Sequence, residues 1–208
     1  MRCSQGVEIR AFDFEVRAEH DEQHGHFISG RPIVFGRKTD LGPYDEIIER
    51  GALDGTDLRD VAFLVNHNTD MIPLARSRNN NASSTMQMSV DDDGMTIRVN
   101  LDIARNADAR ALYSAVERGD ISGMSYMFAI DSQTWEDAES VHPMRRINKI
   151  SRVFEVSAVT YPAYADTSIT TRGLSGALDS ALTALESARA AKREVERKKH
   201  KIKIMMEV

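Results

Sequence analysis

The chain is poor in cysteine. Cys3 alone stands among 208 residues, so no internal disulfide and no cysteine-based zinc site can form. Cys3 lies near the N-terminus, without a fixed base or oxyanion donors around it, which argues against a thiol nucleophile. No stretch approaches the roughly 18 apolar residues of a transmembrane helix. No signal-peptide core follows Met1-Arg2-Cys3-Ser4 either. The expectation is an intracellular protein without membrane contact. Positive charge is also in deficit: 27 Lys and Arg against 32 Asp and Glu give a net −5, and nucleic acid is not an expected partner. Internal repeats and low-complexity blocks are missing. What remains is an ordinary soluble composition, 41% hydrophobic and 28% charged, long enough for one domain plus an appendage.

The first two thirds read as strands. Val7 to Val16 alternates apolar and polar residues, the period-2 mark of a half-buried strand. His26 to Phe35 is a second apolar run, in which Pro32 requires an edge position or a bulge, and His20 to Gly25 supplies a polar turn between the two. Glu46 to Leu53 closes on a helix or turn terminus at Arg50-Gly51. Val61 to Val65 is a short apolar strand ending at Asn66-His67-Asn68. Thr85–Val90 and Met95–Leu101 alternate on either side of Asp91-Asp92-Asp93-Gly94, a hairpin signal in which Gly94 is free to take positive φ. Three successive aspartates suggest a cation, but no further ligand follows at loop spacing and the turn accounts for them. Asn106 to Arg118 reads as a helix stopped by Gly119. Ile121 to Ile130 and Ile147 to Thr160 read as two long strands, with Trp135 to Glu139 in the loop between. Leu174, Leu178, Ala181, Leu185 and Ala188 form the stripe of an amphipathic helix. Pro162 and Gly173 bracket the junction before it. That helix runs into a basic end carrying Arg189, Lys192, Arg193, Arg197, Lys198, Lys199, Lys201 and Lys203 against Glu194 and Glu196.

Among six histidines, His20 and His200 suit a solvated turn and a basic tail, and His142 stands in a loop before Pro143. His24 and His26 share a face if both lie in a strand, but they lack a close third metal ligand. His67 follows a buried strand, which would deliver it to a rim with its ring fixed, as a general base requires. A hydrogen-bonded turn histidine fits the same position. Ser125 follows Gly123 by two residues, where the backbone can turn and a substrate carbonyl approach; a polar side chain on a buried strand is the plainer alternative. Alternation sets Ser125, Met127 and Ala129 opposite Tyr126, Phe128 and Ile130. Glu155 is an acid in the apolar run Phe154 to Val159. It either faces solvent or, buried, demands a partner such as imidazolium.

Taken together these segments resemble the prohead (capsid maturation) serine protease family of tailed bacteriophages. The likeness spans roughly residues 7 to 170. It includes Gly30–Phe35, Glu46–Leu53, Asn66-His67-Asn68, Gly94-Met95, Gly119–Phe128 and Glu155–Ala163. The resemblance implies an α+β, mainly β fold, a closed β-barrel of herpesvirus-protease type surrounded by helices, with the C-terminal amphipathic helix appended. Residues 1–170 become the protease domain and 171–208 a helical, basic tail. It also implies a serine endopeptidase in the chain order His67 (base), Ser125 (nucleophile), Glu155 (orienter of His67). Oxyanion donors are expected near Tyr161 to Tyr164, and no cofactor or metal. A glutamate third member departs from the histidine of the herpesvirus enzymes. The implied substrates are the major capsid protein's scaffold-like segment, a scaffold protein and the protease itself, inside the immature capsid in the host cytoplasm; a homodimer follows by analogy. Two rivals are a non-enzymatic scaffold or capsid-assembly protein, and a metal binder using His24, His26 and Asp91 to Asp93.

Overall fold

The computed structural model describes residues 7–12, 16–160 and 172–206, which form eleven strands and two helices. In the larger sheet β1 (Val7–Phe12), β10 (Gly123–Glu136), β11 (Met144–Val159), β5 (Asp45–Ile48) and β4 (Thr39–Asp40) lie side by side in that order. β11 is long enough, at 16 residues, to carry two parallel neighbours on one edge. β5 pairs with its start and β6 (Asp60–Val65) with its end, and β7 (Ala75–Arg78) continues from β6. The second sheet runs β2 (Val16–Asp21), β3 (Gly25–Val34), β9 (Gly94–Asn100), β8 (Met86–Asp91).

One core joins the sheets. Ile28, Ile33, Ile97 and Val99 from the smaller sheet meet Phe63, Tyr126, Phe128, Val153 and Val156 from the larger, and the packed, non-directional contact of two apolar faces holds them together. β3 contacts β10 and β7 contacts β8, so the sheets approach at two places.

Local expectations are met where local chemistry dominates. Helix α1 (Ala107–Glu117) is capped by Asn106, whose side chain accepts from the Asp108 and Ala109 N–H groups, as an N-cap should. The β8–β9 hairpin turns at Gly94. Its φ is 143°, and a Cβ there would lie 1.9 Å from the Ile33 carbonyl oxygen, so only glycine lets β9 approach β3 this closely. Pro32 falls where the β3–β9 register shifts between Gly30 and Ile33; the bulge, not an edge position, accommodates it.

Three expectations are corrected. Val7 to Val16 is not one strand: β1 and β2 belong to different sheets. Trp135 and Glu136 are not loop residues, because β10 continues to Glu136 and pairs with Met144 at the start of β11. The alternation in β1 is also inverted. Val7 is half exposed, whereas Glu8 and Arg10 are buried, since other strands supply their countercharges. Arg10 donates to Glu46 from Nε (2.6 Å) and Nη2 (2.7 Å) and to Glu8 from Nη2 (2.6 Å). Arg145 donates to Glu8 (2.8 and 2.9 Å) and to Glu46 (3.0 Å). Phe128 lies under Arg10, and Tyr44 and Trp135 flank Arg145. Burial works against the Glu8 carboxylate, yet the Arg145 hydrogen bonds and the two guanidinium charges outweigh it and hold its pKa below the ordinary value.

Helix α2 (Arg172–Met206) packs on β1. Ala181 and Leu185 are buried, and Arg189 donates from Nε to the Ala138 carbonyl at 2.6 Å. The side chains of Leu174 and Leu178 lie outside the described residues. Gly173 falls in the first turn of the helix rather than before it. No described helix is long and apolar enough to cross a membrane.

Candidate active site

The end of β6 and the end of β11 build the site together. Phe63 and Val156 turn inward to the core, so the alternate positions of both strands face the other way. Glu155 and Ser157 occupy that other face, and Ser125 joins it, because Ser125 and Ser157 are direct partners across the β10–β11 ladder.

His67 reaches this face through a tight turn. Asn66 (φ 52°) and His67 (φ 56°) are both left-handed, a conformation that side chains with a Cβ seldom adopt. The surroundings hold them there. The Asn66 N–H donates to the Ala158 carbonyl at 2.9 Å, and the Asn68 N–H donates to Val65 at 3.0 Å. The Asn66 side chain accepts from the Thr160 N–H at 3.0 Å, and the His67 N–H donates to Ser157 Oγ at 3.2 Å. A backbone over-determined in a sparse conformation marks a position where geometry matters.

The imidazole Nδ1 lies 2.5 Å from Glu155 Oε1, with the Glu155 side chain 5% exposed and that of His67 20%. A carboxylate only accepts, so Nδ1 carries a proton in this contact, and in the neutral ring Nε2 then keeps its lone pair. This is the tautomer of a general base. The second carboxylate oxygen accepts from Ser157 Oγ at 2.5 Å. Thus Glu155 is neither solvent-facing nor unpaired, and His67 is a turn residue whose ring and main chain are both hydrogen-bonded.

Ser125 is fully buried, and its hydroxyl donates to the Arg10 carbonyl of β1 at 2.8 Å. The structure therefore brings His67 and Glu155 into contact and sets Ser125 one strand away, across from Ser157. Sequence reading had passed over the clamp formed by Ser157. Its signal was the i, i+2 spacing from Glu155, which puts the two on one strand face. Tyr161 to Tyr164, expected to supply oxyanion donors, lie outside the described residues, as does Cys3.

The other polar clusters have internal partners. His24 Nδ1 lies 2.9 Å from Asp21, and Arg98 Nη1 lies 3.2 Å from His24 Nε2. His26 lies between His20, to which its ring is tilted, and Tyr113, which it meets edge-on. Asp91 pairs with Arg31 (2.8 Å from Nη2) and caps its own turn; the Arg31 hydrogen bond leads in pulling its pKa down to about 2. Asp91 sits beside Gly94 and His24 beside Arg98, toward opposite ends of β9, so the supposed ligands do not converge. Asp40, Asp45 and His142 also gather closely enough for a cation. Asp45, however, already holds Lys38 at 2.5 Å and His142 at 3.1 Å.

Comparison with curated proteins gives no match. Among solved structures, the capsid assembly protease gp21 of bacteriophage T4 is similar at 12% identity and a TM-score of 0.40, over 75% of this chain and 99% of that one. Family assignment rests instead on sequence: residues 12–179 match the profile of the caudovirus prohead serine proteases. Spanning most of its length, that match shows that the chain belongs to the caudovirus prohead serine protease family and is a serine peptidase of phage capsid maturation.

Proposed function

We propose that this peptidase cleaves by acyl transfer with Ser125 as nucleophile, His67 as base and Glu155 as the group that orients His67. The observation that carries the reading is the 2.5 Å contact between His67 Nδ1 and Glu155, which directs the free Nε2 away from the acid and toward an incoming hydroxyl. Attack requires the Ser125 hydroxyl to exchange the Arg10 carbonyl for His67 Nε2. It also requires the buried Ser125 side chain to become accessible to a peptide. Nε2 then takes the proton, Oγ bonds to the scissile carbonyl carbon, and the protonated imidazole returns the proton to the leaving amine. Water, activated by the same nitrogen, breaks the acyl-enzyme ester. Glu155 offsets the charge that His67 gains in each transition state.

Family membership supports the setting: an immature capsid in the host cytoplasm, with the capsid protein's scaffold-like segment or a scaffold protein as substrate, followed by the protease itself. Residues 1–170 form the protease domain in this reading. The tail 171–208 is an assembly element, its basic end suited to an acidic partner helix. The shared core of the two sheets, and their approach at β3–β10 and β7–β8, support closure of the barrel in the herpesvirus-protease manner.

Co-expression with the cognate major capsid protein tests this, comparing wild type with Ser125→Ala by gel and intact mass. We expect Ser125→Ala to abolish all cleavage while particles still assemble. Cleavage persisting in the variant removes Ser125 from the site. An intact tail on matured wild-type protein excludes self-cleavage there.

A further inference from the structure

We propose that Ser157 is a positioning residue of the catalytic apparatus, a clamp that fixes the Glu155 carboxylate and the His67 main chain with one hydroxyl. This rests on the reading of His67 as base and Glu155 as its orienter. Ser157 Oγ has one proton to give, and gives it to Glu155 Oε2 at 2.5 Å. Its lone pairs remain, and one accepts the His67 N–H at 3.2 Å. With Oε1 facing His67 Nδ1 and Oε2 held by Ser157, both oxygens of a buried carboxylate are satisfied. The carboxylate plane is then set, and with it the direction in which the imidazole points.

The same hydroxyl secures a residue at φ 56°, whose backbone would relax toward ordinary conformations without support. A two-point clamp thus fixes the base at its ring, through Glu155, and at its own N–H. Ser157 is also the direct cross-strand partner of Ser125, so the clamp lies opposite the nucleophile and any slack is felt where the hydroxyl must land. The contacts argue against Ser157 as nucleophile: its proton is engaged by a carboxylate, and the imidazole contacts Glu155 rather than Ser157.

The test uses the full-length protein with a fluorophosphonate probe, which reports how reactive the nucleophile is without needing the natural substrate. Labelling rates are measured for wild type, Ser157→Ala, Ser157→Thr, Glu155→Gln and the double variant Ser157→Ala/Glu155→Gln, with the labelled residue mapped by mass spectrometry. Hydrogen-bond partners that orient metal-bound histidines are typically worth about 10–100-fold, and we expect Ser157→Ala to slow labelling of Ser125 by a similar factor. Ser157→Thr, which restores the hydroxyl, should recover most of the rate. The double variant should be slowed by less than the product of the two single effects, because one of the clamp's two points acts through Glu155. If Ser157→Ala does not fold, Ser157→Cys keeps nearly the same volume with a weak donor, and should be slowed similarly. Slowing by Glu155→Gln with wild-type rates for Ser157→Ala or Ser157→Cys overturns the clamp. Wild-type labelling of Glu155→Gln defeats instead the reading of the site on which the clamp depends. A probe adduct on Ser157 overturns the clamp by making it the nucleophile.

Discussion

The larger sheet buries carboxylates on both of its faces and treats them in opposite ways. On the inner face Glu8 and Glu46 share Arg10 and Arg145, and the four charges sum to zero. Arginine does not give up its proton in a protein, so this quartet cannot do acid–base chemistry near neutral pH. On the outer face, among the described residues, Glu155 meets an imidazole and a hydroxyl. One side is a charge-balanced structural network, closed to solvent. On the other, a carboxylate is committed to a partner whose ring remains one-fifth exposed and whose second nitrogen has no partner among the described residues. Burial of an acid by itself identifies neither role. What distinguishes them is whether its partner can change charge.

That contrast can be broken by substitution. His67→Ala should have the largest effect, lowering the cleavage rate by about 10⁴-fold while the melting temperature stays within a few degrees of wild type. Arg145→Met should do the reverse. Leaving Glu8 and Glu46 with Arg10 alone costs about 3–5 kcal/mol, read as a melting temperature lower by about 10 °C or more. If both variants lose stability and activity alike, the two faces are not separable. Acid sharpens the comparison further. Because the folded state holds the Glu8 pKa below its unfolded value, its contribution is complete above that unfolded value of about 4.3 and is lost as pH falls through the folded one. Glu8→Gln should therefore be less stable than wild type at pH 7, with the difference shrinking in melts taken from about pH 5 downward. The smallest effect is expected at the surface. Arg193→Ala removes an exposed pair with Glu139 and should change stability by less than about 1 kcal/mol and cleavage not at all.

Much of the molecule was legible before its structure. The helix from Asn106 and the Asp91–Gly94 turn rest on interactions within a few residues and appear where the sequence puts them, whereas the choice Pro32 left between an edge and a bulge was decided by the pairing of β3 with β9. His67 was legible as the residue delivered by a buried strand, and Glu155 as an acid with nowhere apolar to go. The extent of β10 was not, because pairing with β11, not the composition of Trp135-Glu136, keeps the chain extended there. Nor was the clamp, since serine on a strand face says nothing until its neighbour's carboxylate is placed.

By itself, the sequence determined the family and, through local backbone preferences and hydrophobic period, the mainly β character and the turns; His67, Ser125 and Glu155 entered as candidates through the resemblance to that family. Only the tertiary structure decided which way β1 faces. Its alternating pattern is compatible with either face, and Glu8 and Arg10 turn inward because Glu46 and Arg145, distant in the chain, arrive to balance them. The same reason applies on the opposite face: Glu155 becomes the partner of His67 because two strand ends meet, bringing together side chains 88 residues apart.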